Sequence, residues 1–370
     1  MSRSDARTEP PVAAPPHEPD IDEYLRKRLM PVEGAIPHLP GIDMYGDSIP
    51  AGAVGGDLFE YINFQQRYDI DARIQRALAL SREYLEPLPA GAPPRNAVDD
   101  QVAWLKTRPE YGAAMEQPYR LAQSSQQVRV AEDLHELHRT AGVLIVDAQG
   151  HGTISAKIAS TVHDTFHAFM LTELDRYGKT TPELFEQINV RLAHSVTARN
   201  ALGAGPFNAR EIATMVYGEV HPEGGFRFVN FGHPPPLLFS AADRALQPVD
   251  TQRMVQFFAL GLEIPENHPD RKRYSTMHIR EKAADYSDIA ELKLMRPGDA
   301  IILYSDGVYD GTDQQGHLEL QDIIQRHCGL PARDICRALL QYAVGNDQEL
   351  IRIGEPDRID DKTVFVIKRD

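Results

Sequence analysis

Four carboxylates stand at the ends of apolar runs, each beside small residues. Asp57 follows Gly55-Gly56 and precedes Leu58, Phe59, Tyr61, Ile62 and Phe64. Asp147 ends the run GVLIV, and Asp306 ends AIILYS and is followed by Gly307. Asp360, with Asp361 beside it, lies just before TVFVIK. Short apolar runs bounded in this way read as strands. Carboxylates at strand ends can converge on one sheet edge, and convergent oxygens suit hard cations such as Mg²⁺ and Mn²⁺. Neighbouring glycines let a carbonyl or a phosphate approach closely. Each acid alone also has a plainer account. Asp-Gly is a common hairpin turn, DAQGHG is a turn sequence too, and Asp360-Asp361 reads equally as a solvated loop. The joint occurrence is what points to a site.

Other residues carry weaker signals. His163 and His167 are four apart with Asp164 after the first, as in a zinc-binding helix with Asp in place of Glu. Val162 and Phe166 flank them on an apolar stripe, which favours a helix flank. His233, in GHPPPLL, reads as the end of a strand before an extended turn. Arg271-Lys272-Arg273 reads as a solvated loop, and Trp104 as local core. Cys328 and Cys336, the only cysteines, read as helix-packing residues.

The elements that must position the acids follow from periodicity. Residues 1–35 are expected to form a disordered tail, Pro-rich at its start and with at most one short helix. The block 65–140 reads as about three helices, with apolar stripes at Ile70, Ile74, Leu78 and at Leu121, Val128, Val130, Leu134, Leu137. It joins the Asp57 strand to the Asp147 strand, so it is expected to sit beside the acids as a lid or docking surface. Ile154, Ile158, Val162, Phe166 and Met170 define a helix, and Thr181-Pro182 opens another. Strand-like runs then dominate until two late helices (318–327 and 331–343) and the final TVFVIK. Strand groups separated by helix pairs predict an α+β fold of antiparallel sheets, not a doubly wound parallel one.

The 370 residues carry 39 basic and 54 acidic side chains, a net charge of −15. Such an acidic chain suits neither sequence-independent nucleic-acid binding nor an anionic membrane. No run approaches a membrane span, and no apolar leader opens the chain. Two cysteines exclude a disulfide scaffold and a cysteine zinc site, and a cytoplasmic setting is expected.

The words GGDLFEYI, VDAQGHG, NFGHPPPLLF, LMRPGDAIILYSDGV and DDKTVFVIK occur in this order. Together they resemble the metal-dependent protein phosphatases (PPM), in the bacterial SpoIIE/RsbU-like branch, over roughly residues 36–370 apart from insertions. The resemblance implies two stacked antiparallel β-sheets flanked by helix pairs, with 65–140 as a helical insertion. It implies a serine/threonine phosphoprotein phosphatase working by attack of a metal-activated water. Two Mn²⁺ or Mg²⁺ ions would be held by Asp147 as the bridge, the carbonyl of Ala148, Asp306, Asp360, and Asp57 directly or through water. His151 is a candidate proton donor, and equally a turn histidine bonding backbone. The implied partner is a phosphorylated regulatory protein, such as an anti-sigma-factor antagonist, and a homodimer is left open.

The sequence departs from the pattern in three places. Asp57 and Asp147 are ninety residues apart, Ala148-Gln149 stands where Val-Ser is more usual, and 266–294 is longer than usual. Two alternatives stay open: a non-catalytic phosphoprotein-binding or scaffold module on the same fold, and a zinc metalloprotease using His163 and His167. Gly55-Gly56-Asp57 also resembles the turn of diguanylate cyclases, but Leu58 stands where their second acid would be.

Overall fold

The computed structural model describes residues 36–84, 118–150, 152–193, 212–249, 256–262, 290–294, 296–309 and 314–370. The expected tail, Trp104, His151 and Arg271 to Arg273 lie outside the described residues. Two sheets form the centre. Sheet A has the order β1 (Ile42–Ile49), β11 (Lys362–Arg369), β10 (Ala300–Tyr304), β6 (Leu237–Ser240), β7 (Ala245–Gln247). Sheet B has the order β2 (Asp57–Ile62), β3 (Ala141–Ala148), β4 (Ala213–Val220), β5 (Gly225–Phe231), β8 (Gln256–Phe257), and β9 (Ala290–Lys293) also pairs with β5. All pairings are antiparallel except β5 with the two-residue β8. The architecture is the expected one.

Strand alternation builds the layers. Phe59 and Tyr61 of β2, Val143 and Ile145 of β3, and Phe365 and Ile367 of β11 share one core between the sheets. The opposite face of sheet B, with Leu58, Ile62, Leu144 and Val146, packs on helices α4 (Thr153–Tyr177) and α5 (Pro182–Ala193). The outer face of sheet A, with Ile302, Val364 and Val366, packs on α6 (Gln314–His327) and α7 (Ala332–Ile353). The stripe expected along α4 begins one turn late: Ile154 is exposed, while Ile158, Val162, Phe166 and Met170 are buried.

Two local readings are corrected. Phe64 was expected to extend the Asp57 strand. Instead Asn63 accepts a hydrogen bond from the Gln66 amide and caps a short helix, α1 (Phe64–Tyr68). The insertion continues as α2 (Ile70–Tyr84) and α3 (Pro118–His138), which pack on each other. Their stripes (Ile70, Ile74, Leu78; Val130, Leu134, Leu137) join the same core as Phe166, Met170 and Leu174 of α4.

The second correction concerns the lid. Asp57 pairs with Asp147, whereas Ile62 pairs with Gly142 at the other end of the same ladder. The chain leaves β2 and re-enters β3 at that far end, about 17 Å from the acids at ~3.3 Å per residue. The contacts agree. Arg73 and Arg76 reach Asp175, and Lys179 reaches Asp133 at 3.0 Å, all near the C-terminal end of α4. The described part of this block, α1 to α3, is anchored away from the acids and extends the helix layer.

Candidate active site

The acids meet where strand ends of both sheets come together. Asp57 opens β2 and faces Asp147 near the end of β3. Asp360 and Asp361 lie just before β11, and Ser305-Asp306 just after β10, its partner. Exposure rises in steps from the buried Asp57, through the half-buried Asp147 and Asp360, to the exposed Asp306. The cluster therefore opens to solvent on the Asp306 side.

Hydrogen bonds hold this junction. Asp57 Oδ2 accepts from Ser305 Oγ and Thr363 Oγ1, both at 2.7 Å. One carboxylate oxygen of sheet B is thus tied to two hydroxyls of sheet A. Ser305 Oγ in turn accepts from the Thr363 amide at 2.8 Å. The buried Asp361 accepts from the amides of Ala51 and Gly56, both at 2.6 Å, and so fixes the turn that leads into Asp57. Asp360 Oδ1 accepts from the Asp361 amide at 2.8 Å.

Two glycines are required by close approach. A Cβ at Gly56 would stand 2.6 Å from the Ala148 carbonyl oxygen, so the glycine lets that carbonyl lie against the Asp57 turn. A Cβ at Gly307 would stand 2.1 Å from the Asp361 carbonyl oxygen. The Asp306 turn can nest on the Asp360-Asp361 loop only without a side chain there.

The electrostatics are those of crowded acids. Burial, opposed by the two hydroxyl hydrogen bonds and reinforced by Asp361 and Asp306, pushes Asp57 up to about 7. Burial and then Asp57, Asp306, Asp360 and Asp361 push Asp147 up to about 9. The neighbouring cation does not relieve them. Lys362 Nζ is turned to Asp347 at 2.8 Å and to the Asp360 carbonyl at 2.6 Å. Such a set can hold its charge at neutral pH only against added positive charge. The structure thus brings together Asp57, Asp147, Ala148, Asp306 and Asp360, and adds Asp361, Ser305 and Thr363 as positioning residues. Asp361 was visible beside Asp360, but a role in holding the Gly56 turn had no signal at that spacing.

His233 is buried near this junction. Thr214, the strand partner of Asp147, bonds its Nδ1 at 2.8 Å, and Asn230 brackets its backbone amide and carbonyl. Burial lowers its pKa to about 4, so it is a neutral brace, as the structural reading expected. Cys336 is buried between α7 and sheet A, also as expected. His163 and His167 lie elsewhere, on α4 against Glu60. Asp164, the would-be base of a zinc protease, sits 3.2 Å from Nδ1 of its own neighbour His163.

Comparison with known proteins adds the family. The chain is similar to the RsbU and RsbW domains of Rv1364c from Mycobacterium tuberculosis (17% identity, 90% of this chain, 63% of that chain, TM-score 0.48). It is similar to the PP2C phosphatase domain with a regulatory fragment of SpoIIE from Bacillus subtilis (13%, 90% and 64%, TM-score 0.45). It is also similar to the SiaA-PP2C domain of Pseudomonas aeruginosa (12%, 88% and 86%, TM-score 0.44). The match spans less than two thirds of the length of the first two of these chains. No curated protein sequence matches this chain. Residues 138–370 match the stage II sporulation protein E family, SpoIIE, and include the segments that carry Asp147, Asp306 and Asp360. The chain belongs to the SpoIIE family.

Proposed function

We propose that this chain is a metal-dependent protein serine/threonine phosphatase whose substrate is a phosphorylated regulatory protein. The observation that carries the reading is the convergence of five acids from both sheets, two of them driven toward protonation by burial and mutual repulsion. Such a donor set fits hard divalent cations, which want several oxygens and favour carboxylates. Asp147, the Ala148 carbonyl, Asp306 and Asp360 are the proposed ligands of two Mn²⁺ or Mg²⁺ ions, with Asp57 holding the second ion directly or through water. When bound, the ions supply a nucleophilic water near neutral pH and offset charge on the phosphoryl oxygens.

The chain's own residues prepare this chemistry. Ser305 and Thr363 occupy one oxygen of Asp57 and favour its ionised form. Asp361 holds the Gly56 turn so that Asp57 stays opposite Asp147. His233 braces β4 behind Asp147 in a neutral state. The exposed Asp306 stands where a phosphorylated segment would enter. His151 is the proposed proton donor to the leaving alkoxide. The test is the metal dependence of Asp306→Asn. Its position in solvent leaves the fold intact, and the Mn²⁺ concentration for half-maximal hydrolysis of a phosphoserine peptide should rise at least about tenfold. An unchanged Mn²⁺ requirement rejects Asp306 as a ligand.

A further inference from the structure

Sheet B presents a second group of metal-ligating side chains on its other face. Along β2, Asp57 has the parity of Phe59 and Tyr61, which face sheet A, while Glu60 has the parity of Leu58 and Ile62, which face α4. Glu60 therefore lies across the strand from the acid cluster. Its Oε2 is 3.1 Å from His163 Nε2 and 2.6 Å from His167 Nε2. The four-residue spacing on α4 puts the two rings on one face, edge to face with centroids 4.5 Å apart. The three donor atoms all lie within 4.8 Å of one another. Their side chains are only 14%, 16% and 11% exposed, so the group is shielded yet reachable by a small ion.

We propose that Glu60, His163 and His167 form a second metal site, for a Zn²⁺-class ion, with water as the fourth ligand. Two imidazoles and a carboxylate suit borderline first-row ions, whereas the acid cluster suits hard ones. A tetrahedral ion with bonds of about 2.0–2.1 Å needs its ligand atoms about 3.4 Å apart. The present separations of 2.6 and 3.1 Å are about 0.8 and 0.3 Å short of this, so Glu60 must draw back from His167 by under an ångström to admit the ion. The surrounding contacts also fit. His163 Nδ1 is 3.2 Å from Asp164 Oδ1, the carboxylate partner that orients a ligating imidazole. With that Nδ1 proton given to Asp164, the Nε2 lone pair points at a carboxylate oxygen, which repels unless a cation or proton lies between. On the other ring, the Tyr68 hydroxyl contacts His167 Nδ1 and can accept its proton when Nε2 is ligated.

Arg67 is the competitor. Its Nε is 3.1 Å from His167 Nδ1, and its Nη1 is 3.1 Å from Glu60 Oε1. The guanidinium supplies the positive charge that the ion would replace, and it holds His167 in the wrong tautomer. Arg67 is 39% exposed, so it can swing into solvent. An ion here would tie β2, the strand that starts at Asp57, to α4.

The test uses the full chain carrying Asp147→Asn and Asp306→Asn, so that the acid cluster contributes little. Titration with Co²⁺ should give one equivalent with the intense ligand-field absorption of a four-coordinate site, displaced by Zn²⁺. His163→Ala and His167→Ala should each weaken binding by more than the roughly 10–100-fold that loss of an outer partner costs. Arg67→Gln, at a partly exposed position, should tighten it severalfold. Weak six-coordinate absorption, or affinity indifferent to both histidine variants, overturns the proposal. Should a histidine variant fail to fold by circular dichroism, Arg67→Gln decides: tighter binding supports the site, and unchanged or weaker binding overturns it.

Discussion

Replacing Asp147 with asparagine keeps the side chain's shape and removes one ionisable group from the crowded cluster. Asp147 ionises near 3.8 without the fold and is pushed up to about 9 within it, chiefly by burial and then by its four acidic neighbours. A group raised in this way leaves stability intact below 3.8, and stability then falls as pH climbs toward the folded value. At pH 7 the folded group keeps its proton while the unfolded one has lost it. The cost is set by the interval from 3.8 to 7, about 4 kcal/mol at 1.36 kcal/mol per pH unit. Asparagine avoids this cost but still buries a polar amide, which returns about 1–2 kcal/mol. The metal-free variant should therefore gain about 2–3 kcal/mol at pH 7, or roughly 3–4 °C in Tm for a chain of this size. Calorimetry in EDTA measures it directly. The gain should shrink steeply toward pH 4, close to the unfolded value of 3.8, and saturating Mn²⁺ should reverse the order because the wild type binds more tightly. An asparagine variant that melts below the wild type in EDTA at pH 7, or a gain of equal size at pH 4, refutes the electrostatic account of this cluster.

Four further outcomes are expected. Thr363→Val removes one of the two hydroxyls on Asp57, so the acid limb of the pH–rate profile should move up by about half to one pH unit, as stopped-flow or steady-state rates will show. Gly56→Ala sets a methyl 2.6 Å from the Ala148 carbonyl and should destabilise the fold by about 1–3 kcal/mol in urea melts while weakening Mn²⁺ activation. Leu134→Ala, in the insertion, should cost about 2–5 kcal/mol of stability yet leave turnover of p-nitrophenyl phosphate near wild type, because this core lies behind α4. By the same packing, replacing 66–138 with a short linker should leave the chain insoluble or unfolded.

The layers were legible because period-two and period-four patterns are local. The strand ends at Asp147 and Asp306 and the buried face of α4 could be read from a few neighbouring residues. The helix at Phe64 could not be read from apolarity alone: Asn63 caps it, and a cap outweighs one more apolar residue in a strand-like run. β1 went unremarked although IDMYGDSI alternates, because Gly46 and Asp47 weaken the strand signal and its partner, β11, lies at the other end of the chain. The expectation that the block is anchored beside the acids failed on direction. Two acids at paired positions say where one end of a hairpin lies, and the connection leaves from the other end. Glu60 escaped notice because its partners are on α4, a hundred residues away, and no spacing rule links a strand to a helix across an insertion.

Release of phosphate from a phosphoserine peptide by the metal-stripped full chain, before and after reloading with Mn²⁺ or Mg²⁺, tests the central claim most directly. The account predicts no turnover in EDTA, recovery on reloading, and loss of that recovery in Asp147→Asn. Undiminished hydrolysis in EDTA, or no hydrolysis at any Mn²⁺ or Mg²⁺ concentration by folded protein, contradicts it.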